Sequence, residues 1–390
     1  MIMKKKILSL IAAMLSVSLF LGACAGDSDK KENRPANNTN IEKDAVQSKL
    51  DALKPTAYSS VDGLALEPGS YVSIIGRYSG DSYWKEVEAG AKKAIADLNS
   101  ALGYKGDDKI KLTYSAPEVR DDVNEQVNIL DEELARYPVA IGIAAIDTTA
   151  CTIQFDLASE NGIPIITFDS GSDYQNVGSH ISTDNIAATK TAAAQLAYAM
   201  EENGEIAVFV QDSISMTAKQ RLQGFLDTIA ADFPNISVVN IYHMDELGTM
   251  QQTIATERNA ALEEGAEAIL PESILQEDVV KYILEKNPNL KGIYATNLDT
   301  TQLVAKVLSQ SERSDLKFVG FDGSEEQIAL LKNGMLDGLI VQNPFAMGYA
   351  TVVAATRVAL GLGNESVVDS GYTWVTPENM EDKEIKKMLY

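Results

Sequence analysis

Two apolar runs, far apart in the chain, end on an aspartate followed by Ser and Gly. The first, "PIITFDSGS", ends at Asp169, and the second, "LKFVGFDGS", ends at Asp322. A carboxylate in such a position can cap the next helix, or it can face a cleft and accept two hydrogen bonds from a hydroxylated ligand. Paired carboxylates are also the machinery of glycoside hydrolases. The two aspartates therefore indicate turn residues, a polyol-binding site or a hydrolytic site.

Asn297 and Gln342 stand in the same kind of place, directly after "KGIYAT" and at the end of "DGLIVQ". Open parallel sheets bind ligands outside the carboxyl ends of their strands. One such residue alone would be read as a cap or turn residue. Four at the same edge favour a binding site between two facing units. Asp147, in "AAIDTTA", is a minor candidate because the threonines after it suit a plain helix start.

Catalytic motifs do not support the hydrolytic alternative. The sequence contains no G-x-S-x-G elbow, no H-E-x-x-H pair and no Walker A loop. The two histidines, His180 and His243, are isolated, and Cys151 has no evident base partner. We therefore expect no enzymatic activity, no metal site and no cofactor.

Strand-like and helix-like segments alternate from about Ser70 onward. This alternation predicts parallel sheets with helices on both faces. The apolar runs lack strict period-two patterning, as expected for strands buried on both sides. The predicted fold class is α/β, with two doubly wound parallel-sheet lobes. The predicted strands are "YVSIIG", "KIKLTY", "VAIGIAA", "IPIITF", "VGSHIST", "EIAVFV", "ISVVNIY", "AEAIL", "KGIYAT", "LKFVGF" and "DGLIVQ".

The first residues have the features of an export signal. Three lysines at positions 4–6 precede the apolar run Ile7–Leu21, which is too short for a confident membrane span and suits a secretory signal. It closes on Leu-Gly-Ala-Cys, which resembles the lipobox of bacterial lipoproteins; the alternative is an ordinary signal with a chance cysteine. We expect residues 1–23 to be a signal peptide and Cys24 to carry the lipid that anchors the protein to the outer face of the cell membrane.

Residues 24–66 are predicted to form a flexible tether with a possible short helix, because their first part is polar and lacks apolar periodicity. The formal net charge of the chain is −23 at pH 7. Such acidity excludes a nucleic-acid partner, which would require a basic surface. With Cys24 acylated, Cys151 would have no intrachain disulfide partner.

Six short stretches together give the sequence a family resemblance. They are "GIPIITFDS", "SHISTDN", "QRLQGF", "YATNLD", "FVGFDGS" and "LIVQNP". In this order and spacing they resemble the sugar-binding periplasmic-binding-protein family, and above all ribose-binding-like proteins that feed ABC importers. The resemblance extends from about Ser70 to Trp374. It implies a type I periplasmic-binding-protein fold that captures a small sugar or related polyol between two lobes.

The resemblance also implies which residues contact the ligand. Two aromatic residues after the first strand, an Asp, a helix Arg, and then Asn, Asp and Gln match the positions of ligand contacts in that family. Trp84 shares a helical stripe with Val87, so a purely structural role in the core stays equally open for it. The expected ligand-binding residues are Tyr83, Trp84, Asp169, Arg221, Asn297, Asp322 and Gln342.

Two positions depart from the family pattern. Ser170 stands where many pentose and hexose binders have an Arg, and Met244 lies roughly where another aromatic residue is usual. Both departures leave the general function intact but put ribose itself in doubt.

The resemblance implies three crossings between the lobes, near Thr183, Gln342 and Gly371. The first lobe is expected to comprise residues 67–182 with 343–371, and the second residues 183–342 with 372–390. The partners implied are the permease and ATPase subunits of an ABC importer, and the protein is expected to be a monomer. Two alternatives stay open: a binder of autoinducer-2 or another small polar metabolite, and a sensor that presents its ligand to a chemoreceptor or kinase.

Overall fold

The computed structural model describes residues 38–390. The predicted signal peptide, Cys24 and the first part of the predicted tether lie outside the described residues.

The strands and helices alternate as the sequence predicts. The strands are β1 Tyr71–Ile75, β2 Lys111–Ser115, β3 Ala140–Ile143, β4 Ile165–Phe168, β5 His180–Ser182, β6 Gly204–Val210, β7 Ile236–His243, β8 Leu290–Ala295, β9 Lys317–Phe321, β10 Gly338–Gln342, β11 Val367–Asp369 and β12 Tyr372–Val375. The helices are α1 Asn38–Asp51, α2 Ser82–Leu102, α3 Val123–Leu134, α4 Thr152–Glu160, α5 Asn185–Ala199, α6 Met216–Asp232, α7 Leu247–Ala260, α8 Gln276–Lys286, α9 Leu298–Leu308, α10 Glu325–Lys332, α11 Pro344–Ala359 and α12 Lys383–Lys386.

Two six-stranded sheets organise the chain. The first has the order β11-β5-β4-β3-β1-β2, and the second has the order β12-β10-β9-β8-β6-β7. Neighbouring strands run parallel except for β12, which pairs antiparallel with β10. Each sheet therefore presents the carboxyl ends of its parallel strands along one edge, where a ligand site is expected. The predicted fold class of two doubly wound α/β lobes is confirmed.

The chain passes between the sheets three times. It leaves β5 through Thr183 for α5, leaves β10 through Asn343 for α11, and passes from β11 to β12 through Ser370 and Gly371. Gly371 has φ +80°, a left-handed conformation that favours glycine at this turn. The three predicted crossings are thus present.

Helix α2, which begins at the cleft, is held in place by close packing against α11. A Cβ atom on Gly90 would lie 1.9 Å from the carbonyl oxygen of Phe345, and one on Gly348 would lie 2.0 Å from that of Val87. The two glycines therefore allow a helix–helix contact that any larger side chain would prevent. This contact holds α2, and with it the aromatic pair at its start, firmly in the first lobe.

Two sequence predictions are corrected by the structure. Residues 266–270, "AEAIL", form no strand; they are largely exposed, and the backbone of Ile269 bonds the side chain of Asn259 instead of a neighbouring strand. The place next to β6 in the sheet is taken by β8.

The tether prediction is wrong for its last part. A helix does cover Asn38–Asp51, but Leu50, Leu53, Tyr58 and Leu66 are buried in the core of the first lobe. Lys54 also forms a pair of backbone hydrogen bonds with Asp369 of β11. These apolar residues follow no single period, which is why sequence periodicity did not reveal their burial.

Candidate ligand site between the lobes

One polar cavity lies between the two lobes at the carboxyl ends of their strands. Counted with its open mouth and the solvent there, the space between the side chains is about 440 Å³. All seven residues named from the sequence line it, and both lobes contribute. The lining residues are Arg77, Asp81, Tyr83, Trp84, Arg120, Asp121 and Asp169 from the first lobe, and Gln211, Thr217, Arg221, Asn297, Leu298, Asp322 and Gln342 from the second.

Asp169 and Asp322 sit in equivalent turns of the two lobes. Asp169 follows β4 with φ +54°, and Asp322 follows β9 with φ +77°. In each turn the aspartate N–H donates to a carbonyl of the neighbouring strand, that of Ile181 at 2.9 Å or that of Ile340 at 2.7 Å. A left-handed backbone is uncommon for a residue other than glycine. Here it directs both carboxylates into the cavity.

The carboxylate of Asp169 is largely buried but lightly bonded. Its Oδ1 accepts a hydrogen bond of 2.6 Å from the hydroxyl of Tyr83. Burial raises the pKa of Asp169, and the guanidinium groups of Arg221 and Arg77 oppose that rise. Much of its capacity to accept hydrogen bonds therefore faces the cavity.

The carboxylate of Asp322 is held more tightly by the protein. Its Oδ1 accepts from Gln342 Nε2 at 2.7 Å and from the hydroxyl of Tyr390 at 3.0 Å, and its Oδ2 accepts from the N–H of Leu298 at 2.9 Å. Burial also raises the pKa of Asp322, while the charge of Arg221 lowers it. The orientation of this carboxylate is thus fixed before any ligand arrives.

Arg221 lies in the first turns of α6 and is 2% exposed, so it is not a surface charge. Its Nε donates to Asn185 Oδ1 at 2.9 Å and its Nη1 donates to the carbonyl of Thr296 at 2.8 Å. The guanidinium carbon lies 3.9 Å from the centre of the Phe321 ring. Because Arg cannot lose its charge, it supplies a fixed positive group beside both cavity aspartates.

Asn297 and Gln342 have structural contacts in addition to their place in the cavity. Asn297 caps α9, since its Oδ1 accepts from the N–H of Thr300 at 3.0 Å. Gln342 accepts a bond of 3.0 Å from the hydroxyl of Thr183. Thr183 and Gln342 belong to two of the three crossings, so this bond connects the hinge to the cavity.

The aromatic pair begins α2, whose N-terminus is capped by Asp81. The rings of Tyr83 and Trp84 meet edge to face with centroids 5.1 Å apart. Both residues are buried in the first-lobe core and both line the cavity. Trp84 therefore packs in the core of the first lobe and also lines the cavity.

Sequence reasoning missed the arginines that bring the lobes together. Arg77 forms ion pairs with Asp121 of its own lobe at 2.7 Å and with Asp212 of the second lobe at 3.2 Å. Arg77 lies two residues after the end of β1, whereas Asp121 lies six residues after the end of β2. The rule that selected Asp169 and Asn297 would thus have pointed to Arg77 but not to Asp121.

A second arginine, Arg120, makes a parallel connection. It pairs with Asp81 at 2.5 Å and reaches Asp299 of the second lobe at 3.1 Å. The guanidinium carbon of Arg120 also lies 4.2 Å from the centre of the Tyr78 ring. The rim of the cavity is therefore lined with charges of both signs from both lobes.

The other residues considered from the sequence lie elsewhere. Ser170 is buried, and its hydroxyl has no hydrogen-bond partner among residues 38–390. Met244 packs against the second-lobe core. Asp147 accepts bonds from the N–H groups of Thr149 and Ala150, as expected of a residue at a helix start.

The histidines and Cys151 are not among the residues that line the cavity. His180 is half-buried beside Thr167, and the loss of water around its ring lowers its pKa to about 4. Cys151 is a free thiol whose pKa burial raises to about 12. Within residues 38–390, no group of three or more His, Cys, Asp or Glu side chains could hold a metal ion. The same residues contain no helix with the length and apolar character needed to cross a membrane.

Comparison with known proteins gives a consistent result. The family described as periplasmic binding protein domain matches residues 72–363, about three quarters of the chain. The chain is 26% identical over 205 residues to the ribose import binding protein of Haemophilus influenzae, an alignment that covers 53% of this chain and 61% of that protein. It is 27% identical over 257 residues to the D-apiose import binding protein of Paraburkholderia graminis, covering 65% of this chain and 70% of that protein. The chain thus spans less than two thirds of the length of the ribose relative.

Solved structures resemble the chain over more of its length. A carbohydrate transporter solute binding protein from Agrobacterium radiobacter, in complex with D-arabinose, is 29% identical with a TM-score of 0.67, covering 82% of this chain and 99% of that one. An ABC transporter solute binding protein from Agrobacterium vitis, with bound D-fucose, has a TM-score of 0.68 at 24% identity, covering 82% of this chain and 100% of that one. The second likeness concerns the fold alone.

Proposed function

The chain belongs to the periplasmic binding protein domain family, and on that premise we propose that it captures a small sugar or related polyol and delivers it to an ABC importer. The observation that carries this proposal is the single cavity in which seven residues, chosen from the sequence for sugar binding, come together from both lobes. Its permease and ATPase partners would lie in the membrane, and the protein would work outside the cytoplasm. The relatives named above are described as binding proteins, and we propose no reaction for this chain.

The donor and acceptor set suits hydroxyl groups. Asp169 and Asp322 offer carboxylate oxygens as acceptors, and Arg221 and Asn297 offer N–H donors. A sugar hydroxyl donates one hydrogen bond and accepts others, so it can satisfy both kinds of group at once. Hydrogen bonds to charged groups contribute about 1.5–3 kcal/mol each. An analogue that lacks one hydroxyl would leave a buried charge unpaired, and this makes such a site selective.

The aromatic residues would complete the site. Tyr83 and Trp84 offer ring surfaces to the C–H patches of a sugar. Gln342 would act through Asp322, whose Oδ1 it holds at 2.7 Å. We therefore propose as ligand-binding residues Tyr83, Trp84, Asp169, Arg221, Asn297, Asp322 and Gln342.

The cargo class is supported by the relatives, whose names and titles mention ribose, apiose and arabinose. These are pentoses, and we propose a sugar of about this size. The buried Ser170 supplies no charged group, and Arg77 and Arg120 bring their guanidinium groups to the cavity from other strands. The named relatives favour neither autoinducer-2 nor a sensory partner.

Binding is proposed to close the lobes about the three crossings. The moving bodies would be residues 67–182 with 343–371, and residues 183–342 with 372–390. The cross-lobe ion pairs of Arg77 and Arg120 connect the two lobes, as expected of a closed form. A ligand that bonds both lobes would favour this form, because it binds the closed state better than the open one.

A thermal-shift screen over D-ribose, D-arabinose, D-apiose, D-allose, D-fucose and D-tagatose tests the proposal. A sugar at a hundred times its dissociation constant should stabilise the protein by about 2.7 kcal/mol. Recovery of that sugar chemically unchanged after long incubation would separate binding from hydrolysis. A protein whose melting temperature moved with none of these sugars would contradict the proposal.

The anchor is a separate proposal. We propose that residues 1–23 are removed and that Cys24 carries the lipid, on the support of the three lysines, the short apolar run and the Leu-Gly-Ala-Cys stretch. Cys24→Ser should move the protein from the membrane fraction to the soluble fraction, and gel filtration of that soluble form should give the mass of a monomer. Unchanged membrane attachment of Cys24→Ser would contradict lipidation.

A further inference from the structure

Tyr390, far from the sequence motifs of the site, reaches into the cleft. Its hydroxyl donates to Asp322 Oδ1 at 3.0 Å and its backbone N–H donates to the carbonyl of Gly323 at 3.3 Å. Its ring meets that of Tyr83 edge to face, with centroids 5.8 Å apart. Asp322 and Gly323 belong to the second lobe and Tyr83 to the first, so this one side chain touches both lobes.

Tyr390 stands at the mouth of the cavity and does not fill it. It is absent from the side chains that line the central space, and it lines the neighbouring outer opening, which shares Asp81, Arg120 and Leu298 with that space. A sugar in the cavity would therefore not compete with the tyrosine ring for volume. The tyrosine would instead stand beside the bound sugar as part of the wall.

The segment that carries Tyr390 also bridges the lobes. Leu389 and Tyr390 pack against the second-lobe core, and Tyr390 packs against the first-lobe core as well. Lys387 Nζ lies 3.3 Å from Ser48 Oγ on α1, which belongs to the first-lobe side. The cross-lobe contact of Tyr390 is therefore supported by a second one within three residues.

We propose that Tyr390 is a positioning residue of the sugar site, whose hydroxyl orients Asp322 within the second lobe and whose ring contacts the first lobe only when the lobes are closed. It supplies the third donor to the Asp322 carboxylate, and its ring rests against Tyr83 across the cleft. Opening separates the two rings and exposes both to water, so the contact stabilises the closed form alone. The contact should therefore slow the escape of a bound sugar and leave its entry into the open cleft unchanged. This inference rests on the proposed function.

Stopped-flow binding kinetics of Tyr390→Phe test this proposal, with the screened sugar that raises the wild-type melting temperature most. The variant keeps the cross-lobe ring contact and loses the hydrogen bond that orients Asp322, so the bond from Asp322 to the sugar weakens and the dissociation rate should rise about tenfold. Its association rate should stay within about twofold of wild type, because affinity changes within one interface act mostly on dissociation. Tyr390→Ala should dissociate faster still, because the ring contact is lost too.

Tyr282→Phe is the matched control. Tyr282 also donates its hydroxyl to a carboxylate, that of Glu257, but on the outer face of the second lobe. This variant should keep both wild-type rates. Without sugar, Tyr390→Phe loses a hydrogen bond within the second lobe, so its melting temperature should fall slightly. A merely structural role would give that fall together with the wild-type dissociation rate.

Two results would overturn the inference in different ways. A wild-type protein that binds sugar while Tyr390→Phe keeps the wild-type dissociation rate would remove the role of Tyr390 and leave the proposed function standing. A wild-type protein that binds none of the screened sugars would overturn the proposed function, and the role of Tyr390 with it.

Discussion

Asp169 of the first lobe and Asp322 of the second occupy equivalent turns, each with a left-handed backbone directly after a parallel strand. Their surroundings differ. Asp322 accepts hydrogen bonds from Gln342, Tyr390 and the backbone of Leu298, whereas Asp169 accepts one from Tyr83. The same turn thus serves two purposes. In the second lobe it builds a rigid carboxylate, and in the first lobe it leaves a carboxylate with capacity for a ligand.

This difference suggests an order of events for ligand capture. The second lobe, with Asp322 and Arg221 already bonded by protein groups, offers a pre-organised surface, and little reorganisation is needed on binding. The first lobe brings Asp169 and the aromatic residues over the ligand when the cleft closes. The two lobes would then contribute differently to stability and to affinity, and mutations can separate these contributions.

The largest effect is expected for Asp169→Ala on affinity. This change removes a buried charge that has one side-chain donor in the described chain, so the bonds lost are mainly those to the sugar. A loss of about 3 kcal/mol, or about a hundredfold in dissociation constant, is expected from one or two charge-assisted bonds. The melting temperature without sugar should change little. Calorimetric titration gives the affinity, and wild-type affinity in Asp169→Ala would contradict the role of the first lobe.

Asp322→Ala should differ by lowering stability as well as affinity. It leaves three buried donors without an acceptor, those of Gln342, Leu298 and Tyr390. We expect a loss of about 2 kcal/mol in the free energy of unfolding, since an unsatisfied buried donor costs about 1–3 kcal/mol and burial of the charge itself was costly. Urea denaturation without sugar measures it. Equal stability losses in Asp322→Ala and Asp169→Ala would show that the two turns do not differ as described.

The sequence predicted the shared part of these turns well. The apolar runs ending at Phe168 and Phe321, followed by Asp and small residues, located both strands and both carboxylates. The differences could not be read in this way, because the donors to Asp322 come from residues 20 and 68 positions away. No local pattern connects Tyr390 with Asp322. Only the packing of Leu389 and Tyr390 on the second-lobe core brings them together.

The same limit explains the other errors. Residues 50–66 looked like a tether because their apolar side chains are irregularly spaced, yet Leu53 and Tyr58 are buried. "AEAIL" looked like a strand because it is short and apolar, but β8 takes its place in the sheet. Arg77 and Arg120 were overlooked although they follow strands, because charged residues after a strand also occur on ordinary surfaces.

The smallest expected effect concerns pH and the cross-lobe pair of Arg120 with Asp299. Burial raises the pKa of Asp299 to about 6, with Arg120 opposing the rise and the carboxylates of Asp81, Asp121 and Asp322 adding to it. Asp81 and Asp121 belong to the first lobe, so opening removes their repulsion and returns Asp299 to water. Its pKa should then fall toward the ordinary value near 4.

The sign of the pH effect follows from proton uptake. Between pH 4 and pH 6 the closed form binds more protons at Asp299 than the open form does, so this group favours closure as the pH falls from 7 toward 5. Asp169 and Asp322, whose pKa values burial also raises, should act in the same direction. The side chain of Asp299 is 42% exposed, and solvent screening keeps its share small.

Energy transfer between dyes on the two lobes, recorded without sugar from pH 7.5 to pH 5, measures this closure. The wild-type protein should become more compact as the pH falls, and Asp299→Asn should show a shallower slope because one of the titrating groups is gone. Asp315→Asn is the control, since Asp315 is an exposed carboxylate that pairs with Arg313 of the same lobe. If Asp299→Asn has the same slope as wild type, protonation of Asp299 does not contribute to closure. The contrast between the lobes would then rest on Asp169 and Asp322 alone.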